Sequence, residues 1–143
     1  MMQEIFQLRE GERLDDLMKS GRMIIQHEKE FCFSMDSVLI SHFPRCKKNY
    51  KVLDLGTGTG VIPLLIADEV EKILAVEINS QMAEIARRNV ELNSLQEKIL
   101  VVEGDYRKHR DLFSAESFDL VIANPPYVPV KNGEANKFSG VAQ

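Results

Sequence analysis

The sequence predicts an α/β fold built on a doubly wound parallel β-sheet, and three observations support this prediction. The chain has 143 residues, of which 44% are hydrophobic and 28% are charged, as in a globular domain with a substantial core. From about Tyr50 onward, short runs rich in Val, Ile and Leu alternate with helical segments. The first of these runs ends in a cluster of glycines, which is typical of a tight strand-to-helix turn. Right-handed crossovers would then place helices on both faces of the sheet.

The individual elements follow from these patterns. Four strands are predicted, at KVLDLG (51–56), KILAVEI (72–78), KILVVEGD (98–105) and SFDLVIANPPY (117–127). Two helices are predicted, at VIPLLIA (61–67), where Pro63 is tolerated in the first turn, and at NSQMAEIARRNVELNSL (79–95). Asn79 or Ser80 can cap the second helix. Its apolar side chains recur at helical spacing, at Met82, Ile85, Ala86 and Val90.

The N-terminal part, residues 1–49, is less regular, and we expect it to pack on a core formed by residues 50–143. ERLDDLMKSG (12–21) predicts a short helix closed by Gly21. RMIIQ (22–26) and FCFS (31–34) are predicted to form a hairpin, and MDSVLISHF (35–43) a short helix. Sheets of this class normally contain more than four strands, so we expect the sheet to be truncated after the fourth.

Composition and charge limit the classes of function that we expect for this chain. The net charge of −4 argues mildly against a nucleic-acid binder, so RNA contact would need a local basic patch such as Arg45, Lys47, Lys48 and Lys51. Taken alone, that run is more typical of a solvated loop than of a phosphate contact. The two cysteines have no metal-ligand spacing, and no metal site is expected. The start shows no signal peptide and no run is long enough to span a membrane, so we expect a cytoplasmic protein.

The glycine cluster DLGTGTG (54–60) suits close approach of the backbone to a ligand. It matches the dinucleotide fingerprint poorly, because Val61 stands where a small residue is needed, and no Gly-Lys-Ser/Thr follows as in a P-loop. Glu77 ends the second strand, 21 residues after Gly56, the distance at which an acidic residue meets ribose hydroxyls in βαβ nucleoside sites. Alone, the loop is also compatible with a tight turn that binds nothing.

The third strand is followed by Asp105 and Tyr106. Asp105 can accept a hydrogen bond from an exocyclic adenine amine, and Tyr106 or a neighbouring apolar side chain can cover the ring. A turn or N-cap role explains Asp105 equally well.

The fourth strand ends in NPPY. Pro125 restricts Asn124 to an extended conformation, and Pro126 restricts Pro125 in the same way. The Asn124 side chain and the Pro125 carbonyl can therefore be held facing one point, where two acceptors suit an NH₂ group. Tyr127 offers a flat face for stacking a planar amide or base. An Asn-Pro turn without chemistry is the alternative for the tetrapeptide taken alone.

With these motifs, the chain resembles the class I S-adenosylmethionine-dependent methyltransferases, which have a Rossmann-like sheet. ERLDDL, IIQ and FSMDSVLISHF further resemble the bacterial adenine-N6 methyltransferases that modify valine tRNA beside the anticodon. The resemblance implies S-adenosyl-L-methionine as cofactor, tRNA as partner, and Asn124, Pro125 and Tyr127 as catalytic residues, with Asn124 and Tyr127 binding the substrate. It implies a cofactor site made of Asp54, Gly56, Thr57, Gly58, Gly60, Glu77, Ile78, Asp105, Tyr106 and Asn124. Asp36 and Phe33 would line its methionine side, unless they are a cap and a core aromatic.

Other readings remain open at this point. NPPY fits any planar NH₂, so a protein glutamine methyltransferase is one alternative, although only about 50 residues precede the glycine cluster. A DNA adenine methyltransferase is a further alternative, but the sequence shows no added target-recognition region. A non-catalytic nucleoside-binding module or inactive fragment is a further alternative, and a nicotinamide dehydrogenase is disfavoured by Val61 and NPPY.

Overall fold

The structure is a computed structural model that describes residues 6–17, 20–29 and 35–125 of the chain. Its strands are β1 (Glu12–Asp16), β2 (Met23–His27), β3 (Lys51–Leu55), β4 (Lys72–Glu77), β5 (Ile99–Glu103) and β6 (Leu120–Ala123). Its α-helices are α1 (Met35–His42), α2 (Val61–Ile66), α3 (Ser80–Leu92) and α4 (His109–Leu112). Short 3₁₀ turns, Ala67–Glu69 and Tyr106–Lys108, follow α2 and precede α4.

The main sheet has four parallel strands in the order β5-β4-β3-β6. The chain moves outward from β3 to β4 and β5, then crosses back to place β6 on the other side of β3. The predicted parallel α/β sheet is therefore confirmed. This order reverses direction between β3 and β6, and in open α/β sheets such a switch point is where ligands bind, beyond the carboxyl ends of the strands.

The core lies between this sheet and the helices α2 and α3. Near-continuous apolar runs form the central strands because both faces of a parallel sheet are covered in such folds. The four predicted apolar positions of α3, Met82, Ile85, Ala86 and Val90, are all buried. The side chain of Asn79 accepts from the backbone N–H of Gln81 and Met82, so Asn79 rather than Ser80 caps this helix.

The N-terminal hairpin differs from the prediction. Residues 12–16 are a strand, not a helix, and they pair antiparallel with β2, with Glu12 opposite His27. The predicted partner FCFS (31–34) lies outside the described residues. Leu14 and Leu17 are spaced as on a helix, but a strand is formed because β2 supplies a partner for its backbone groups. Gly21, with φ +69°, lies in the connection between the strands.

Two asparagines, one within α3 and one directly after it, bind β2. Asn89 is fully buried; its Oδ1 accepts from the Ile25 N–H at 2.6 Å, and its Nδ2 donates to the Ile25 carbonyl at 3.0 Å. Asn93, one turn later, bonds the N–H and carbonyl of Met23 in the same way. The hairpin is therefore attached to the core by side-chain amides that take the place of a neighbouring strand.

The predicted helix at 35–43 is confirmed as α1, which packs against α2. No described helix combines the length and apolar character needed to cross a membrane.

Candidate functional site

The glycine loop leaves β3 and turns into α2. Gly56, Gly58 and Gly60 all have positive φ, at +70°, +60° and +87°, a backbone conformation that disfavours other residues. The N–H groups of Gly56 and Thr57 both donate to the Val76 carbonyl, at 2.9 and 3.0 Å. A side chain on Gly56 would enter open space, with no described atom within 4 Å of its Cβ. The loop is therefore bound firmly to β4 and exposes backbone on its open side.

Glu77, the last residue of β4, holds this loop. Its Oε2 accepts from the Gly58 N–H at 2.8 Å, and its Oε1 accepts from the Asn79 N–H at 3.0 Å. The residue is 9% exposed. A carboxylate has about four acceptor positions, so two remain for further donors. Both oxygens are thus fixed in place and able to accept from a pair of hydroxyl groups.

Asp54 lies on β3 beneath the loop and is 1% exposed. Its Oδ2 accepts from the Thr57 hydroxyl at 2.7 Å, whereas Oδ1 has no partner among the described residues. Burial raises the pKa of Asp54 to about 7; the Thr57 hydrogen bond opposes this rise, and the charge of Glu77 adds to it. A buried acceptor without a donor is costly and is expected where a ligand supplies the donor.

Asp105 follows β5 at the same edge of the sheet and caps the 3₁₀ turn by accepting from the Arg107 N–H. The Arg107 guanidinium donates to both of its carboxylate oxygens, at 2.6 to 2.9 Å. These bonds hold the pKa of Asp105 below its ordinary value. Tyr106 is 46% exposed. Asp105 therefore has the N-cap role that its sequence position also predicts. The hydrogen bonds from Arg107 occupy most of the acceptor positions of its carboxylate.

Asn124 follows β6 and is partly buried. Its Nδ2 donates to the hydroxyl of Ser37 on α1 at 3.0 Å. Pro125 comes next and is exposed. Tyr127, the proposed stacking residue, lies outside the described residues. The described part of NPPY thus leaves the sheet at the edge that carries the glycine loop, Glu77 and Asp105.

The remaining expected residues are placed less centrally. Ile78 is partly buried beside Glu77, and Asp36 is exposed in the first turn of α1. Phe33 lies outside the described residues. Sequence reasoning missed Asn89, whose Nδ2 also donates to the Thr59 carbonyl of the glycine loop at 2.8 Å. A signal was available, because Asn89 is the polar residue three positions after Ala86 on the apolar face of α3.

Comparison with known proteins agrees with this arrangement. Residues 34–139 match the model of the methyltransferase small domain, which covers most of the chain. The chain belongs to this family. The methyltransferase family predicted from DLGTGTG and NPPY is thereby confirmed.

Curated relatives narrow the similarity. The tRNA1(Val) (adenine(37)-N6)-methyltransferase of Tolumonas auensis is 33% identical over 95 residues, which are 64% of this chain and 38% of that protein. The enzyme of the same name from Photorhabdus laumondii is 36% identical, again over 64% of this chain and 38% of its own length. The match therefore spans about two fifths of the length of these relatives.

Solved structures show the same fold. The tRNA m1G37 methyltransferase of M. jannaschii superimposes with a TM-score of 0.67 at 21% identity, over 85% of this chain and 37% of that one. Protein arginine methyltransferase 10 of Arabidopsis thaliana superimposes with a TM-score of 0.53 at 31% identity, over 63% of this chain and 26% of that one. The Rossmann-like methyltransferase sheet is confirmed.

The family assignment supports S-adenosyl-L-methionine as the cofactor, and the described residues fit this molecule. Glu77 offers two fixed acceptors, which suit the paired hydroxyls of a ribose. Asp54 Oδ1, which has no partner in the part of the chain that the structure describes, is an acceptor for a ligand that carries hydroxyl and ammonium donors. Gly56 leaves open space beside the loop. Acceptors and open space are thus present at one edge of the sheet.

Proposed function

We propose that this chain carries the cofactor site and the catalytic Asn-Pro segment of an S-adenosylmethionine-dependent methyltransferase that acts on adenine N6 in tRNA, near the anticodon. The carrying observation is that Asn124 leaves β6 at the sheet edge where Glu77 holds the glycine loop. The similarity to enzymes named for adenine-N6 methylation of tRNA supports the choice of substrate.

The proposed chemistry rests on the acceptors of the NPPY segment. The adenine N6 lone pair is delocalised into the ring, which makes the amine a poor nucleophile. Asn124 Oδ1 and the Pro125 carbonyl accept its two N–H groups, favour a more tetrahedral nitrogen and stabilise the positive charge that develops on it. Tyr127 stacks the extruded base, a contact worth about 1–3 kcal/mol. S-adenosylmethionine, when bound, supplies an electrophilic methyl group.

In this proposal Glu77, Asp54 and the glycine loop, with Gly56, Thr57, Gly58 and Gly60, bind the cofactor. Ile78, Asp105 and Tyr106 complete the site. Since positioning alone contributes strongly to reactions between two bound partners, the anchoring of the loop to Glu77 is part of catalysis as well as of binding.

The test is methyl transfer from labelled cofactor to bulk tRNA that lacks the modification, followed by nucleoside analysis. We expect labelled N6-methyladenosine. Asn124→Ala should lower the rate by roughly 10²- to 10³-fold, because it removes an acceptor used in the transition state, while calorimetry shows little loss of cofactor affinity.

Three outcomes would contradict the proposal. Equal turnover by Asn124→Ala would refute the role of Asn124. Label on a protein glutamine would move the assignment to the amide alternative. Cofactor binding without transfer to any RNA or protein would identify a non-catalytic binding module.

A further inference from the structure

Asn124 is bound by a residue from a distant part of the chain. Its Nδ2 donates to Ser37 Oγ at 3.0 Å, across 87 positions of sequence. Ser37 is 6% exposed, so little water competes for this hydroxyl. No described residue donates to the other end of the carboxamide, Oδ1. The two ends of the Asn124 side chain are therefore in different situations, one bound and one available.

We propose that Ser37 is a positioning residue, which holds the Asn124 carboxamide so that Oδ1 is presented to the amine that is methylated. This inference rests on the proposed function. A carboxamide has one acceptor end and one donor end, and only the acceptor end can bind an NH₂ group. If the carboxamide turned over, its own N–H groups would meet those of the substrate. Ser37 takes up the donor end and leaves the acceptor end free.

The need for such a residue follows from the side chain itself. The terminal torsion of asparagine is broad and roughly two-fold, so the rotamer alone does not fix the carboxamide. Pro125 restricts only the backbone of Asn124. The Ser37 hydrogen bond acts on the torsion that the proline leaves free.

The position of Ser37 also ties Asn124 to the cofactor loop. Ser37 lies on α1, α1 packs against α2, and α2 begins directly after Gly60 of the glycine loop. Asn124 and the glycine loop, which serve the substrate and the cofactor, are thereby both connected to the packed helices α1 and α2. A hydrogen-bonding side chain that is itself held by packing is what an accurate site requires.

The experiment compares Ser37→Ala with Ser41→Ala. Ser41 is a matched control, because it lies one turn further along α1, is 4% exposed, and donates to the Val38 carbonyl without contacting Asn124. We expect Ser37→Ala to lower kcat roughly tenfold, with cofactor affinity and KM for tRNA unchanged, and Ser41→Ala to leave kcat within about twofold. Ser37→Thr, which keeps the hydroxyl, should restore most of the rate.

A second measurement does not depend on activity. Hydrogen exchange of the Asn124 side-chain amide, followed by NMR, should be at least about tenfold slower than that of Asn49, which is exposed. Ser37→Ala should remove this protection and Ser41→Ala should not. If Ser37→Ala does not fold, the comparison with Asn49 in the unchanged chain still decides whether the bond exists.

The outcomes separate this inference from the proposed function. Methyl transfer with equal kcat in the Ser37→Ala and Ser41→Ala variants would overturn the positioning role and leave the function intact. Absence of methyl transfer in the unchanged chain, with Asn124 protected, would refute the function instead. An Asn124 amide that exchanges as fast as that of Asn49 would overturn the inference directly. In an Asn124→Ala background, Ser37→Ala should cause no further loss of rate.

Discussion

Glu77 and Asp105 follow neighbouring strands of one sheet, and their carboxylates are held in different ways. Glu77 accepts from the backbone N–H groups of Gly58 and Asn79, so it joins β4, the glycine loop and the start of α3. Among the described residues, the Asp105 carboxylate accepts hydrogen bonds from Arg107, two positions later in the chain. The first arrangement connects several elements, and the second stays within one turn.

The difference indicates where this molecule is organised before a ligand arrives. On the β3–β4 side, the buried Glu77 carboxylate is bound to backbone N–H groups, which water cannot easily replace. On the β5 side, Asp105 must share its oxygens between Arg107 and any adenine amine. We therefore expect replacements on the β3–β4 side to change stability and affinity strongly, and replacements on the β5 side to change them little.

The largest effect is expected at Asp54, as a dependence of stability on pH. Its native pKa of about 7 lies above the ordinary value of 3.8, so the folded state retains a proton that the unfolded state has lost. Below about pH 4, Asp54 is protonated in both states and does not lower the free energy of unfolding. As the pH rises to about 7, this free energy falls by up to about 4 kcal/mol. Asp54→Asn should thus stabilise the unliganded protein at pH 8 and hardly at pH 4.

Chemical denaturation of both proteins from pH 4 to pH 8 measures this difference. Asp16→Asn, at an exposed position on β1, controls for the loss of one negative charge. A stability difference that is the same at every pH would show that Asp54 is ionised in the folded protein throughout.

The next effect is expected at Asn89. Asn89→Ala leaves the N–H and carbonyl of Ile25 and the Thr59 carbonyl without their partner in a fully buried place. We expect a loss of about 2–4 kcal/mol in the free energy of unfolding. Asn93→Ala is the matched control, since Asn93 makes similar bonds but is partly exposed, and about 1 kcal/mol is expected there. Equal losses at both positions would contradict the role of burial.

A smaller effect is expected at Glu77, in cofactor affinity. Both carboxylate oxygens of Glu77 accept a backbone N–H. Glu77→Gln therefore places an amide N–H opposite the N–H of Gly58 or Asn79. The Kd for S-adenosylmethionine should rise roughly 10- to 100-fold. Asp105→Asn should raise this Kd less than about tenfold, since the described hydrogen bonds of the Asp105 carboxylate stay within its own turn. Calorimetry measures both Kd values. A larger increase for Asp105→Asn than for Glu77→Gln would contradict the expectation that the β3–β4 side is the more sensitive.

Much of the main sheet could be predicted, because its signals are local. The apolar runs of β3, β4, β5 and β6 end in Gly, Glu or Asn, and the 21-residue spacing between Gly56 and Glu77 needs only the sequence. The carboxylate at the end of β4 was therefore expected beside the loop, and Glu77 indeed bonds Gly58.

Features that depend on distant contacts were not predictable in the same way. The segment 12–16 has a pattern compatible with a helix, and only pairing with β2 makes it a strand. The bond between Ser37 and Asn124 joins residues 87 positions apart, and nothing near either residue indicates the other. Asp54 Oδ1 has no partner among residues 6–17, 20–29 and 35–125, and this likewise results from packing rather than from its neighbours in sequence.

The short segment from Glu77 to Ser80 has an evolutionary consequence. Within it the chain ends a strand, anchors a carboxylate through the Asn79 N–H, and starts a helix with the Asn79 side chain. One inserted residue would separate all three, so this segment should keep its length in every functional descendant. The turn at 93–98 joins α3 to β5 away from the ligand edge, so its length does not set the Glu77 contacts.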